Sequence, residues 1–566
     1  MKDDTAFTSM RRDDTIQSDE YGIHHIQVDT PAIADIEAAM VYAGALRPGG
    51  ALNYTSPEVL GLLSQYVAIG LMLGAFSNLV YPVFTVYFRM SGAQIHGITA
   101  LTVIGWNLKV LFGILSDCFP IFGYRRKSWM VIGWLACCAV LVCLATYDAG
   151  GPYIADPAYF RKALPTDPTL RASLVNENAK IRGSIVGMLC GVAVISYVVA
   201  DVAADALFVE MAQREPERIR GRLQSMIYVA RYVATVIAQA VIGLCLNSEE
   251  YGGTFSWSMG QQWFFVFLAV PCAIMVPISV TCVVDAPHRG VHFGQYMREF
   301  WQLVQNRAMW QFMVFRFSFN FLSSGLVTTA APYVQYHWAH VTTMNSQLFS
   351  IAGNLVFAGG LAYTGSCGTA WNWRTVIVAT NLSIVAVDAA VTFCTIYDVV
   401  RNEYVYLVVT QVIENIPSAV QFLVTGFIIV ELAEMGNEGI TYALLSTMNN
   451  LPIAFGPLVG NIVSGQFNVT EADVVADTRR DRHNVAYTYL IYYMSAILAC
   501  GVVVLCPSQK PQVYQLKVQG GNQPVVAAVV LVLSFICLMF SIVVSLLSMF
   551  PSTQCLVVAG GKGCHV

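Results

Sequence analysis

The chain has 566 residues, of which 56% are hydrophobic and only 12% charged, with a mean hydropathy of +0.58 and a formal net charge of -4. Soluble domains carry about 25% charged residues, so this composition excludes a soluble protein and belongs to a polytopic membrane protein. The small net charge and the lack of a long basic run give no footing for nucleic acid as a partner.

Residues 1–57 are polar, and up to Ala45 nine acids face three bases. No apolar core there resembles a cleaved signal, and this segment is expected to be a disordered, acidic, cytoplasmic tail. Apolar stretches long enough to cross about 30 Å of hydrocarbon, roughly 20 residues each, follow near 60–88, 94–115, 128–147, 184–211, 223–246, 263–284, 308–336, 344–364, 375–397, 403–433, 441–466 and 486–506. These are read as twelve transmembrane helices, and the uncharged run 525–550 as a thirteenth. With the N-terminus in the cytoplasm, Lys and Arg number 17 in the inner segments and 10 in the outer loops, the bias that the positive-inside rule expects. Asn468-Val-Thr470 then falls in an outer loop, where a glycosylation acceptor is usable. The fifteen cysteines lie mostly in apolar segments and read as small hydrophobes, not as a disulfide framework.

An internal repeat relates the two halves. Pro82-Val-Phe-Thr-Val-Tyr87 ends segment 1 as Pro332-Tyr-Val-Gln-Tyr336 ends segment 7, Arg125 follows segment 2 as Arg374 follows segment 8, and Val209-Glu210-Met211-Ala212 ends segment 4 as Val430-Glu431-Leu432-Ala433 ends segment 10. The offset shortens along the series because the loop after segment 3 is longer than the loop after segment 9. The expected organisation is a tail over 1–57, a six-helix half over 58–284, a linker over 285–307, a second six-helix half over 308–506, and a tail over 507–566 holding the thirteenth helix. In the linker, Phe293, Tyr296, Met297, Phe300, Trp301 and Val304 recur at spacings of three and four, which makes an amphipathic helix suited to the cytoplasmic membrane surface.

Between segments 2 and 3 stands Gly113-Ile-Leu-Ser-Asp117-Cys-Phe-Pro-Ile-Phe-Gly123-Tyr-Arg125-Arg126-Lys127. Its glycine and acid let two helix ends approach closely while the carboxylate meets a helix terminus or a cation. Together with the preceding Lys109-Val-Leu-Phe and with Asp201-Val-Ala-Ala-Asp205-Ala-Leu-Phe-Val-Glu210, it resembles the folate-biopterin transporters of the major facilitator superfamily over roughly residues 60–506. The resemblance implies an all-α, two-half carrier of folate or pterin derivatives, with no cofactor. The acidic tail, the extra C-terminal helix and the single cation after segment 8 depart from the general pattern.

Ionisable groups in apolar spans cost on the order of 3 kcal/mol each by insertion scales and are kept for a purpose. Here they are Lys109, Asp201, Asp205, Arg231, Arg316, Asp388 and Glu414. Asp201 and Asp205 are four apart and share one helix face; they are candidates for proton coupling, for accepting the paired N–H donors of a pterin edge, or for a structural ion pair with Lys109 or Arg231. Lys109, Arg231 and Arg316 are candidate countercharges for substrate carboxylates, with Asn320 one turn beyond Arg316, and Asp388 and Glu414 join the proton-coupling candidates. Gly113, Asp117, Arg125, Arg126, Glu210, Arg222 and Glu431 cluster at the predicted inner helix ends and are assigned to gating.

Neither a phosphate-cradling Gly-x-x-x-x-Gly-Lys nor a metal-binding His-Glu-x-x-His or paired Cys-x-x-Cys occurs. The sequence therefore reads as a monomeric, proton-coupled carrier of a small molecule in the plasma membrane, neither an enzyme nor a metalloprotein. Two alternatives stay open, a carrier of another organic solute such as an amino-acid or nucleoside derivative, and a receptor on the same fold that has lost turnover.

Overall fold

A computed structural model describes residues 44–47, 52–90, 105–156, 178–253, 255–285, 292–326, 330–434, 437–464 and 471–549, with a few positions between those stretches. The acidic tail over 1–43 and both ends of the Asn468-Val-Thr470 triplet lie outside the described residues.

The N-terminal half contains α1 (Pro57–Leu79), α2 (Lys109–Cys118), α3 (Lys127–Thr146), α4 (Asn178–Ala212), α5 (Arg222–Cys245) and α6 (Gly260–Thr281). The linker forms α7 (Phe293–Gln305). The C-terminal half contains α8 (Arg307–Asn320), α9 (Thr343–Cys367), α10 (Trp373–Ile396), α11 (Glu403–Leu432), α12 (Glu438–Ser464) and α13 (Arg479–Val502), and α14 (Lys510–Gln519) and α15 (Pro524–Met549) follow. Among the described residues, nine helices are long and apolar enough to cross a membrane. Three more expected segments are present as α2, α8 and α12. The 26-residue α15 is long enough to span, at about 1.5 Å of rise per residue.

Local chemistry sets several helix ends. Ser56 accepts from the Val59 N–H at 3.4 Å with Pro57 at the first position of α1, a pairing that satisfies one orphan donor and wastes none. Prolines mark π-helical turns: Val80–Tyr87 contains Pro82, Val334–Trp338 follows Pro332, and Val408–Ile413 precedes Pro417. The first two occupy the matched ends of the internal repeat, so the two halves share this irregularity as well as its sequence.

Glycine sets how closely the helices approach. A Cβ on Gly70 would fall 2.1 Å from Arg231 O, and one on Gly74 2.6 Å from Thr235 O, so α1 and α5 meet backbone to backbone. Gly183 and Gly187 make the same kind of room for Phe88 and Ile98. The halves meet where α5 packs on α9 and where α2 and α4 pack on α12. Of the expected apolar stripe the linker helix buries Tyr296, Phe300 and Val304, together with Leu303, but leaves Phe293 and Trp301 exposed, so the buried face is narrower than the spacing suggested.

Candidate functional site

A cavity of about 310 Å³ lies between the halves, at the lower end of the range for small-molecule sites. The N-terminal half lines it with Phe76, Trp106, Lys109, Tyr197, Tyr228, Arg231 and Tyr232, and the C-terminal half with Arg316, Phe422, Tyr442, Ser446, Asn449 and Asn450. Phe76 and Tyr197 stack at 6.2 Å, and the Tyr228 and Tyr442 hydroxyls bond to each other from opposite halves. Aromatic faces and a few convergent polar groups suit a flat ring bearing charge at its edge.

The sequence-predicted cations divide into two kinds. Lys109 Nζ stands 2.5 Å from Asp201 Oδ2 and 2.7 Å from Asp205 Oδ2, and Tyr66 donates to Asp205 Oδ1 at 2.7 Å. All three charged groups are buried, and the two carboxylates sit behind the ammonium instead of lining the cavity. Arg231 and Arg316 line the cavity with Lys109, from opposite halves, and among the described residues the Nε of each has no hydrogen-bond partner. Arg231 lies 4.9 Å over the Trp106 ring, which Lys109 also faces at 4.6 Å. Three cations and two carboxylates leave this region one positive charge in excess when both acids are ionised, which favours an anion.

The loop motif builds one end of the interface. Asp117 accepts from Arg126, from Tyr296 on the linker at 2.6 Å, and from the Ile440 N–H at 3.0 Å, where α12 begins. Arg126 also donates to Glu210 at 3.0 Å and to Glu438 at 3.4 Å. Gly113 permits the approach, since a Cβ there would lie 3.1 Å from Gly439 O. Arg125 stands 4.0 Å from Glu210. Nearby, Arg220 grips both oxygens of Glu431 at 2.6 and 2.7 Å. At the opposite end Arg401 and Arg482 share Asp477, a cluster within one half.

Other predicted residues fall elsewhere. Asn320 donates to Asn449 at 2.9 Å and to Arg316 O at 2.7 Å, a contact between α8 and α12 beside the cavity. Asp388 takes hydrogen bonds from Tyr493 at 3.1 Å and Thr392 at 3.2 Å; neither it nor Glu414 lines the cavity. Arg222 is exposed, and its neighbour Arg220 makes the pair with Glu431. Sequence reading missed Arg220, Glu438, Arg47 and Glu215. Glu215 accepts from Tyr54 at 2.7 Å and from the Gly221 and Leu223 N–H groups at 2.8 and 3.0 Å, which caps the start of α5, and burial holds its carboxyl above the usual range.

A model of the BT1 family matches residues 69–160. A folate-biopterin transporter of Synechocystis sp. is 23% identical over 480 residues, covering 81% of this chain and 84% of its own. Folate transporter 1 of Plasmodium falciparum is 33% identical over 57 residues, 10% of this chain and 11% of its own. Among solved structures, the proton:xylose symporter XylE of the major facilitator superfamily superposes with a TM-score of 0.52 at 13% identity, over 81% of this chain and 99% of that one, a likeness of fold. The chain is thus a multi-pass membrane protein with the fold of the major facilitator transporters, and its similarity over 81% of its length to a folate-biopterin transporter supports a membrane transporter rather than an enzyme.

Proposed function

We propose that this chain carries a folate or pterin derivative across a membrane by alternating access, with protons as the coupling ion. The observation that carries the reading is the pair of cavity-lining guanidinium groups, Arg231 and Arg316, contributed by opposite halves, the Nε of each without a hydrogen-bond partner among the described residues. A carboxylate bound to both would bridge the moving bodies, and an aromatic ring beside it would stack on walls such as Phe76 and Trp106. The Lys109–Asp201–Asp205 group supplies the coupling element: two acids share one ammonium, so protonating one carboxylate leaves the other still paired.

The Asp117 end is the cytoplasmic end in this reading, and its charge network closes the site on that side. Alternation then consists of breaking Arg126–Glu438, Arg220–Glu431 and the Asp117–Ile440 contact while the halves rock about the cavity. Uptake of labelled folic acid into vesicles under an imposed pH gradient tests the proposal. Accumulation above equilibrium that collapses with the gradient supports it. Binding without accumulation indicates a receptor, and neither binding nor uptake indicates a different solute.

A further inference from the structure

The Asp117 end is closed by more than the helical body. Residues 44–47 lie against the turn after α4: the Leu46 and Arg47 N–H groups donate to Gln213 O at 2.9 and 3.2 Å, and Arg220 donates to Gly44 O. This short segment is therefore fastened to the N-terminal half. Its Arg47 reaches across to the other half, 3.0 Å from Glu438 on α12, while standing 3.3 Å from Glu210 on α4.

A reciprocal contact comes from beyond α13. Trp373 N donates to Ser508 O at 2.8 Å, and Lys517 Nζ donates to Glu431 O and Leu432 O at 3.4 and 3.3 Å, so α14 is fastened to the C-terminal half. From its first turn Lys510, buried to 7% exposure, crosses to the N-terminal half and donates to Glu217 O at 2.5 Å and Arg220 O at 3.2 Å. An ammonium buried this far is costly unless its donors are met, and here the other half meets them.

We propose that Arg47 and Lys510 are gating residues, two crossed latches that hold the halves together at the Asp117 end and set how often that end opens. Each is anchored in one half and lodged in the other, and neither touches the cavity. When the halves part, Arg47 must leave Glu438 and Lys510 must leave the Glu217–Arg220 turn, while the anchoring bonds within each half persist. Losing either latch therefore shifts the balance toward opening and leaves the cavity's own chemistry intact.

The inference rests on the alternating-access reading, and the test separates the two. The full chain with Ser446→Cys, a cavity position, is labelled in vesicles from the Asp117 side with a membrane-impermeant maleimide, against the chain lacking that cysteine. Arg47→Ala and Lys510→Met should each speed labelling about fivefold, the loss of the Arg47–Glu438 ion pair in one case and of the Lys510 hydrogen bonds to two carbonyl oxygens in the other. Arg47→Lys and Lys510→Arg keep the charge and should label like the parent, which distinguishes a lost latch from a damaged fold. Asp117→Asn is the control for the gate itself. If Asp117→Asn speeds labelling while both latch variants leave it unchanged, the latches are overturned. If Asp117→Asn also changes nothing, the alternating-access reading falls, and the latches with it.

Discussion

Lys109 and Asp205 pair at 2.7 Å on neighbouring helices, and the same ammonium holds Asp201 at 2.5 Å, so one cation ties together two acids a helical turn apart. Removing one member of such a buried group leaves a charge with less compensation. The group sits directly behind the cavity wall, where a change in its charge is felt by whatever the cavity holds.

Asp205→Asn removes the carboxylate that Tyr66 and Lys109 share. Gradient-driven accumulation of folic acid should fall to the level of passive equilibration, while exchange of internal for external substrate continues. Measuring both in one vesicle preparation checks this, and gradient-driven accumulation equal to the parent would remove Asp205 from the coupling role.

Arg316→Ala should raise the apparent KM for folic acid by roughly 10- to 100-fold, the value of one charge-assisted hydrogen bond. For an uncharged pterin the rise should stay within a small factor, because stacking on the aromatic walls survives. Equal losses for both compounds would make Arg316 a structural arginine.

Much of this arrangement was legible in the chain. The four-residue spacing of Asp201 and Asp205 put them on one face, and the proline and Val-Glu-x-Ala repeats divided the chain into two halves. Which cation would serve the two acids was not legible, because Lys109 and Arg231 sit on different helices and both are apolar-span cations; only packing lets Lys109 pair with both acids at the cavity wall while Arg231 lines the cavity beside it. The sequence reading named Arg222 and passed over Arg220, because nothing in the pattern showed that Gly221, at φ +117°, turns the chain between them and that Arg220 makes the pair with Glu431. Arg47 is a lone base after an acidic tail, with no pattern to mark it. Asp388 was singled out by hydropathy, but period alone could not tell that it turns to Tyr493 instead of the cavity.

Gly113→Val should push α2 from α12, since even a Cβ would stand 3.1 Å from Gly439 O and Ala443 Cβ. Overpacking of this kind costs about 1–3 kcal/mol, and here the closed Asp117 end bears it. Trypsin cleavage in the arginine-rich turn 214–222, added from that side, should quicken roughly tenfold. An unchanged cleavage rate would mean the glycine does not govern this contact.

Asp477 offers a contrast far from the cavity. Hydrogen bonds from Arg401 at 2.7 and 2.9 Å, and from Arg482 at 2.8 Å, hold its carboxyl well below the usual carboxylate range. A depressed carboxylate contributes stability that is fully present above its unfolded pKa of about 3.9 and is lost as pH falls toward the folded value. This contribution should therefore be constant between about pH 5 and 8 and fade only in stronger acid. The site is partly exposed, so screening limits it to under about 1 kcal/mol. Asp477→Asn should lower the thermal midpoint slightly at pH 7 and leave folic acid uptake unchanged; a lost uptake would tie this loop to transport.

The central claim is that the cavity holding Arg231 and Arg316 opens to each aqueous phase in turn. A cysteine replacing Asn450, which lines that cavity, reports on it directly when impermeant reagent is applied to either face of oriented vesicles. The account predicts reaction from both faces, slowed from both by saturating folic acid. A position that stays unreactive from both faces under every gradient, while the protein remains folded, would contradict it.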